Sequence, residues 1–326
     1  MVLDILKKHK VVSQEHATAT PLTGGVSCEI YLVEDPKKKL VAKRALEKLK
    51  VEKDWFADTS RNLFEQRYLK YVGNQFPQYV PKILHSFEEE RLFTMEFFPE
   101  RFKDWKKDLM RGQTSIVVSQ KIGDILGAIH KVSWHEPIAE GLFKSDENFY
   151  QLRLEPYFES MVSIHPQLAG QITALCSRVA ATKHCLVHGD FSPKNILVSG
   201  EEIKIVDCEV AWYGDPSFDV AFLLHHLLLK YCHFNNTAYL DLAVTFYTRY
   251  RRAIGEDRFL VVGEDNVVEL TLMMMLARID GKSPVEYLST QEKSHIRERV
   301  IRLLGKNITK LDLLMEGVQH NENQVC

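Results

Sequence analysis

The six cysteines, at 28, 176, 185, 208, 232 and 326, include no Cys-x-x-Cys pair, so no zinc or dithiol motif is spelled out. A chain of 326 residues also needs no disulfide staples, and reduced thiols in a cytoplasmic protein are the expectation. Glycine (16) and proline (11) are scarce, which argues against a loop-rich architecture and leans toward helix. Charge of one sign is lacking too: 42 basic against 44 acidic side chains leave a formal charge of −2. Such a chain has no global field to hold a polyanion, so nucleic acid is not an expected partner. Apolar runs are short. Residues 220–229 and 270–277 fall below the length that spans a bilayer, and the charged N-terminus lacks a signal-peptide core, so no membrane partner is expected. What remains is a soluble globular composition, 45% hydrophobic and 26% charged, whose function must come from a site.

The first hundred residues and the rest read differently. Glu29-Ile30-Tyr31-Leu32-Val33 and Leu40-Val41-Ala42-Lys43 flank a charged, proline-containing turn, which predicts a hairpin. A helix follows from Asp58-Thr59-Ser60, and two further strands are expected over 82–87 and 91–97. Beyond Pro99 the apolar spacing is helical, over 117–132, 148–162, 167–181, 218–231, 236–254, 266–277 and 290–314. Only 186–187, 196–198 and 203–206 read as strands there. The fold class is therefore α+β, a small sheet followed by a mainly helical body.

Those three strands enclose the most informative segment: His188-Gly189-Asp190-Phe191-Ser192-Pro193-Lys194-Asn195, then Ile205-Val206-Asp207-Cys208-Glu209. Three carboxylates and an amide on tight turns are what magnesium-dependent phosphoryl transfer needs: one carboxylate to orient a hydroxyl, hard oxygens to hold Mg²⁺. Asp190 and Asn195 have the offset of the Asp and Asn in the kinase loop H-R-D-x-x-x-x-N. The segment resembles the aminoglycoside phosphotransferase and choline kinase superfamily, small-molecule relatives of the protein kinases. Asp207-Cys208-Glu209, continuing through Ala211-Trp212-Tyr213-Gly214 to Phe218-Asp219, is similar to the methylthioribose kinase branch. The resemblance covers most of the chain and is tight over 186–221. It implies a bilobal kinase-like fold, with ATP and Mg²⁺ in the cleft. It implies Asp190 as catalytic base, Asn195, Asp207 and Glu209 as metal ligands, and an Asp after the loop as its brace. Lys194 either reaches the transferring phosphate or is an exposed loop lysine.

The nucleotide grip should lie in the N-terminal part. Leu22-Thr23-Gly24-Gly25-Val26-Ser27 offers Gly24, Gly25 and Ser27 to the phosphates, although the full G-x-G-x-x-G is missing. Lys43 resembles the V-A-I-K lysine, and Glu65 on the following helix stands where a kinase places its ion-pair partner. Thr94-Met95-Glu96-Phe97-Phe98-Pro99 falls at the expected hinge, offering the backbone of Glu96 and Phe98 to an adenine. His130 reads as a core histidine, Asp215 and Asp219 as a loop residue and a helix cap, and Gly281 as a C-cap rather than part of a P-loop. Arg278 and Asp280 are candidate contacts in the acceptor pocket. The expected lobes are 1–97, gripping nucleotide, and 98–326, carrying catalytic loop, metal site and acceptor pocket. The expected reaction moves the γ-phosphoryl group of ATP to a hydroxyl of a small sugar, amino alcohol or aminoglycoside-like acceptor. A non-catalytic nucleotide-binding regulator is the alternative. A protein kinase is disfavoured, because only residues 208–213 separate Asp207 from Gly214-Asp215-Pro216, leaving no activation loop.

Overall fold

The computed structural model describes residues 2–22, 28–36, 38–46 and 58–319. Two-residue alternation near the N-terminus produces strands β1 (Thr18–Pro21), β2 (Cys28–Asp35), β3 (Lys38–Ala45), β4 (Ile83–Phe87) and β5 (Leu92–Glu96). They form one antiparallel sheet in the order β1-β2-β3-β5-β4. The alternation decides which side chains meet which layer. Leu40, Ala42 and Leu92 turn to a small outer core closed by Val2 and Leu6 of helix α1 (Val2–Lys8). Val41, Phe93 and Met95 turn the other way and join the main core with helix α2 (Arg61–Gln75). Lys43 shares the parity of Val41, so the sheet itself delivers its ammonium to the inner face.

The remainder is mainly helical, so the molecule has the α+β class that the sequence pattern predicts and the bilobal arrangement that the resemblance implies. Helix Ile116–Val132 packs along Ala238–Ile254, and Ser217–Phe234 packs along Glu264–Asp280. Ser217–Phe234 is buried around most of its circumference, which makes it the axis of this lobe. No helix among the described residues is long and apolar enough to cross a membrane.

Three local expectations are corrected. Residues 148–162 are not one α-helix: a turn at Asp146–Phe149 runs into a π-helix, Tyr150–Phe158, with Pro156 inside it. Proline has no N–H to donate and its ring crowds the preceding turn, so the wider winding accommodates it. Residues 290–314 are two helices, Thr290–Gly305 and Leu311–Gln319, divided where Asn307 takes a positive φ of 49°. The strand Trp212–Gly214, paired antiparallel with Cys185–Val187, was not expected, and neither were α1 and β1.

Candidate active site

The strand Cys185–Val187 leads into the loop His188-Gly189-Asp190, and a single 3-10 turn, Pro193–Asn195, leads out of it. Asp219, in the first turn of Ser217–Phe234, accepts the N–H of His188 at 2.7 Å and of Gly189 at 2.9 Å. It is the brace rather than the cap. Asp215, one residue before the N-cap Pro216, accepts on Oδ1 the N–H and hydroxyl of Ser217, the first helical residue, at 2.9 and 2.5 Å. His188 Nδ1 accepts the N–H of Asp190 at 3.2 Å, so the ring proton sits on Nε2, facing the Val206 carbonyl at 3.2 Å. Burial lowers the His188 pKa and keeps this neutral form. Gly189 has φ 76°, and a Cβ there would lie 2.5 Å from the Val210 carbonyl oxygen. An arginine, as in H-R-D, does not fit this backbone. His130, bonded to Tyr250 Oη at 3.0 Å and to Asp219 at 3.3 Å, is buried as expected.

Across the cleft, Lys43 Nζ lies 2.7–2.8 Å from the two Glu65 oxygens and 2.5 Å from Asp207 Oδ1. The bridge thus ties β3, α2 and the turn after Glu202–Ile205 together. Burial raises Glu65 to about 7 against the pull of Lys43. For Asp207 burial acts in the same direction, but Lys43 and Lys194 outweigh it and hold the carboxyl well below the usual range. Asp207 has φ 62°, and its Oδ2 lies 4.0 Å from Lys194 Nζ. Asn195 donates its amide N–H to the Asp190 carbonyl at 3.0 Å, which turns its side-chain oxygen away from that bond. Glu65, Asp207 and Glu209 each bring a carboxylate oxygen within 4.8 Å of the others. Glu209 is also engaged elsewhere, with Cys28 Sγ at 3.1 Å and Arg61 Nε at 3.3 Å.

Two cavities meet here. The larger, about 680 Å³, has apolar walls including Leu22, Ile30, Val41 and Leu197, with Lys43, Asn195 and Asp207 at one end. Glu96 and Phe98 line it. The Glu96 N–H is taken by the Lys82 carbonyl at 2.9 Å, whereas the Phe98 N–H has no acceptor among the described residues. The smaller cavity, about 190 Å³, contains Asp190, Arg153, Tyr157 and Arg278 in its walls. Lys106, Lys194 and Asp207 line both. Gly24, Gly25 and Ser27 lie outside the described residues. Asp280 is not brought to the site; it is bound to His165 at 2.8 Å and to Arg297 at 2.6–2.8 Å.

Sequence reasoning missed Arg153, Arg61 and Lys230. Arg153 Nη2 lies 3.2 Å from Asp190 Oδ2, and its Nε donates to the Gly189 carbonyl. The aromatic rings of Tyr157 and Phe222 flank its guanidinium at 5.6 and 5.5 Å. A basic residue amid aromatics at 153, 157 and 158 was the available signal.

A family model described as "Phosphotransferase enzyme family", APH, matches residues 18–260. The methylthioribose kinase of Geobacillus kaustophilus (strain HTA426) is 25% identical over 235 residues, covering 64% of this chain and 59% of its own. That of Bacillus cereus (strain AH820) is 26% identical over 228 residues, covering 62% and 58%. The chain thus spans less than two thirds of the length of these curated relatives. Among solved structures, the amicoumacin kinase hAmiN in complex with AMP-PNP, Ca²⁺ and Ami superposes with a TM-score of 0.61 at 16% identity, covering 95% of each chain. The choline kinase of Cryptosporidium parvum Iowa II gives 0.59 at 12% identity, covering 97% of this chain and 96% of that one. These likenesses concern the fold. The family match takes in well over half of the chain, and this protein belongs to the phosphotransferase enzyme family.

Proposed function

We propose that this protein transfers the γ-phosphoryl group of ATP to a hydroxyl of a small molecule, in a Mg²⁺-dependent reaction. The observation that carries the reading is the Lys43 bridge to Glu65 and Asp207, spanning two lobes beside the braced Asp190 loop. In this reading residues 1–97 grip the nucleotide and 98–326 carry the chemistry. The adenine occupies the apolar end of the larger cavity, with Glu96 and Phe98 as its backbone partners. Lys43 meets the α- and β-phosphates, and the Gly24, Gly25 and Ser27 segment is assigned to the phosphates on sequence alone. Asp207 and the Asn195 side-chain oxygen are hard donors suited to Mg²⁺, with Glu209 as a further carboxylate. When bound there, the cation offsets charge on the β- and γ-phosphates. Lys194, on the wall shared by both cavities, faces the phosphoryl group in transit.

Asp190 holds the acceptor hydroxyl and takes its proton as the oxygen bonds to the γ-phosphorus; the bond to the β-phosphate oxygen breaks and ADP leaves. Arg153 orients the Asp190 carboxylate. We assign the reaction to the cytoplasm, consistent with free thiols at the five described cysteines. Asp190→Ala should lower kcat by about 10²–10⁴ while MgATP binding persists, read by ADP release and by titration calorimetry. Unchanged turnover would refute the assignment. Nucleotide binding without turnover of any acceptor by the wild-type chain would favour a nucleotide-binding regulator instead.

A further inference from the structure

The smaller cavity carries an excess of positive charge that phosphoryl transfer alone does not explain. Most cations around it are answered by carboxylates. Arg153 meets Asp190, Lys106 meets Glu286, Lys282 meets Glu155 at 2.5 Å, and Lys194 faces Asp207. Two are not. Lys230, on the axial helix, is fully buried, yet among the described residues its Nζ reaches only the His226 carbonyl one turn back, at 3.3 Å. It also lies 5.3 Å from the centre of the Tyr287 ring. Arg278 bonds the Ser283 carbonyl and hydroxyl and touches Tyr157 Oη at 3.5 Å. Neither cation has a carboxylate within ion-pair distance among the described residues. Both line the cavity that contains Asp190.

A buried, unmatched ammonium beside a second unmatched cation destabilises a fold, and a methionine of similar length would fill the same space without that cost. The strain on Lys230 is visible in its pKa: burial, with Lys106 and Arg278 adding to it against Glu286, brings it down to about 7. An oxyanion in the cavity supplies the missing negative charge, and a guanidinium with an ammonium is a suitable pair to hold one. Choline and aminoglycosides carry the opposite charge, and a neutral sugar leaves both cations unmatched.

We propose that the acceptor is a compact alcohol bearing an oxyanion, a hydroxy carboxylate or a phosphorylated alcohol, anchored by Lys230 and Arg278 with its hydroxyl toward Asp190. The proposal rests on the phosphotransfer reading for the role of the cavity. It names a substrate class defined by charge, distinct from those in the names of the related kinases.

The test titrates glycerate, glycerol 3-phosphate, glycerol and choline calorimetrically into the full chain saturated with MgADP, and follows ADP release from MgATP with each. The expected result is that at least one anion binds tenfold or more tightly than glycerol and choline. Lys230→Met should erase that preference while the affinity for MgADP stays within twofold. Arg278→Gln serves as the second variant should the first fail to fold. Glycerate against glycerol 3-phosphate distinguishes the two oxyanion sources. Glycerol or choline binding as tightly as the anions would overturn the proposal. So would an anion preference intact in both variants, since the anion would then sit on the metal. An intact, Lys230-dependent preference with no ADP release from any hydroxy acid or phosphorylated alcohol would overturn phosphotransfer and leave the anion site standing.

Discussion

Charged side chains in this protein take their meaning from where the backbone buries them. Lys43 and Glu65 were legible as a pair because they resemble a kinase's strand lysine and its helical ion-pair partner; their burial on the inner face was not legible. Lys230 was not legible, because a lysine in an apolar helix reads the same whether it points to solvent or to a cavity. Its folded-state pKa of about 7 lies below the ordinary lysine value of 10.5, so the unfolded chain binds the extra proton between those two pH values. Stability therefore rises with pH from about 7 to about 10.5, and the full penalty of burying the charge is present below 7. The displacement corresponds to a penalty on the order of 5 kcal/mol. Lys230→Met should accordingly stabilise the ligand-free protein at pH 6 to 7, by up to about that amount, with the gain shrinking toward pH 10. Urea denaturation across that range checks it, and a gain that grows with pH would contradict the assignment.

At the scale of elements, the π-helix Tyr150–Phe158 and the C-terminus of Glu264–Asp280 act as one unit. The Lys282 N–H donates to the Pro156 carbonyl at 3.1 Å, and the Gly281 N–H to Ala277 at 2.9 Å. A Cβ on Gly281 would meet the Ala277 carbonyl oxygen at 2.5 Å and the Pro156 oxygen at 3.2 Å, both backbone atoms. Gly281→Ala must distort the helix end at Ala277 and press on the Pro156 carbonyl, at a cost of about 1–3 kcal/mol. Arg153 and Arg278 sit on those segments, so KM for the acceptor should rise while KM for ATP stays nearly constant. Steady-state kinetics against each substrate separate the two, and equal increases would place the damage elsewhere. The element boundaries that sequence periodicity missed have local causes: Pro156 widens a helix, Asn307 ends one, and Trp212–Gly214 is too short for alternation to register. The long helices were legible because each has an apolar stripe, or a run as rich in apolar residues as that of Ser217–Phe234.

For the whole molecule, the sheet lobe and the helical lobe meet through the Lys43 bridge, the contacts of Glu209 with Cys28 and Arg61, and the shared core beneath α2. A nucleotide bound only by the folded state must stabilise it, by about 2.7 kcal/mol at a hundred times its dissociation constant. Thermal denaturation with Mg²⁺ and a non-hydrolysable ATP analogue should show the corresponding rise in Tm. Lys43→Met should abolish that rise, and a rise of equal size in the variant would remove Lys43 from the nucleotide site. The sheet-then-helix order and the Asp190–Asn195 spacing were readable at this scale from pattern along the chain, and the bilobal plan from the family resemblance those residues carry. The sign of charge in the smaller cavity was not. It depends on which of several lysines and arginines, dispersed from residue 106 to residue 282, converge without carboxylates.

Lys106, Lys194 and Asp207 belong to the walls of both cavities, so the two are compartments of one trough with a common partition. A single molecule can lie along it. An adenosine polyphosphate joined through its terminal phosphate to a hydroxy acid would engage both compartments at once. Tethering raises the effective concentration of the second group at its site to the millimolar range or above. Such a bisubstrate compound should bind far more tightly than either half, and the linker length that binds best would measure the distance the phosphoryl group travels.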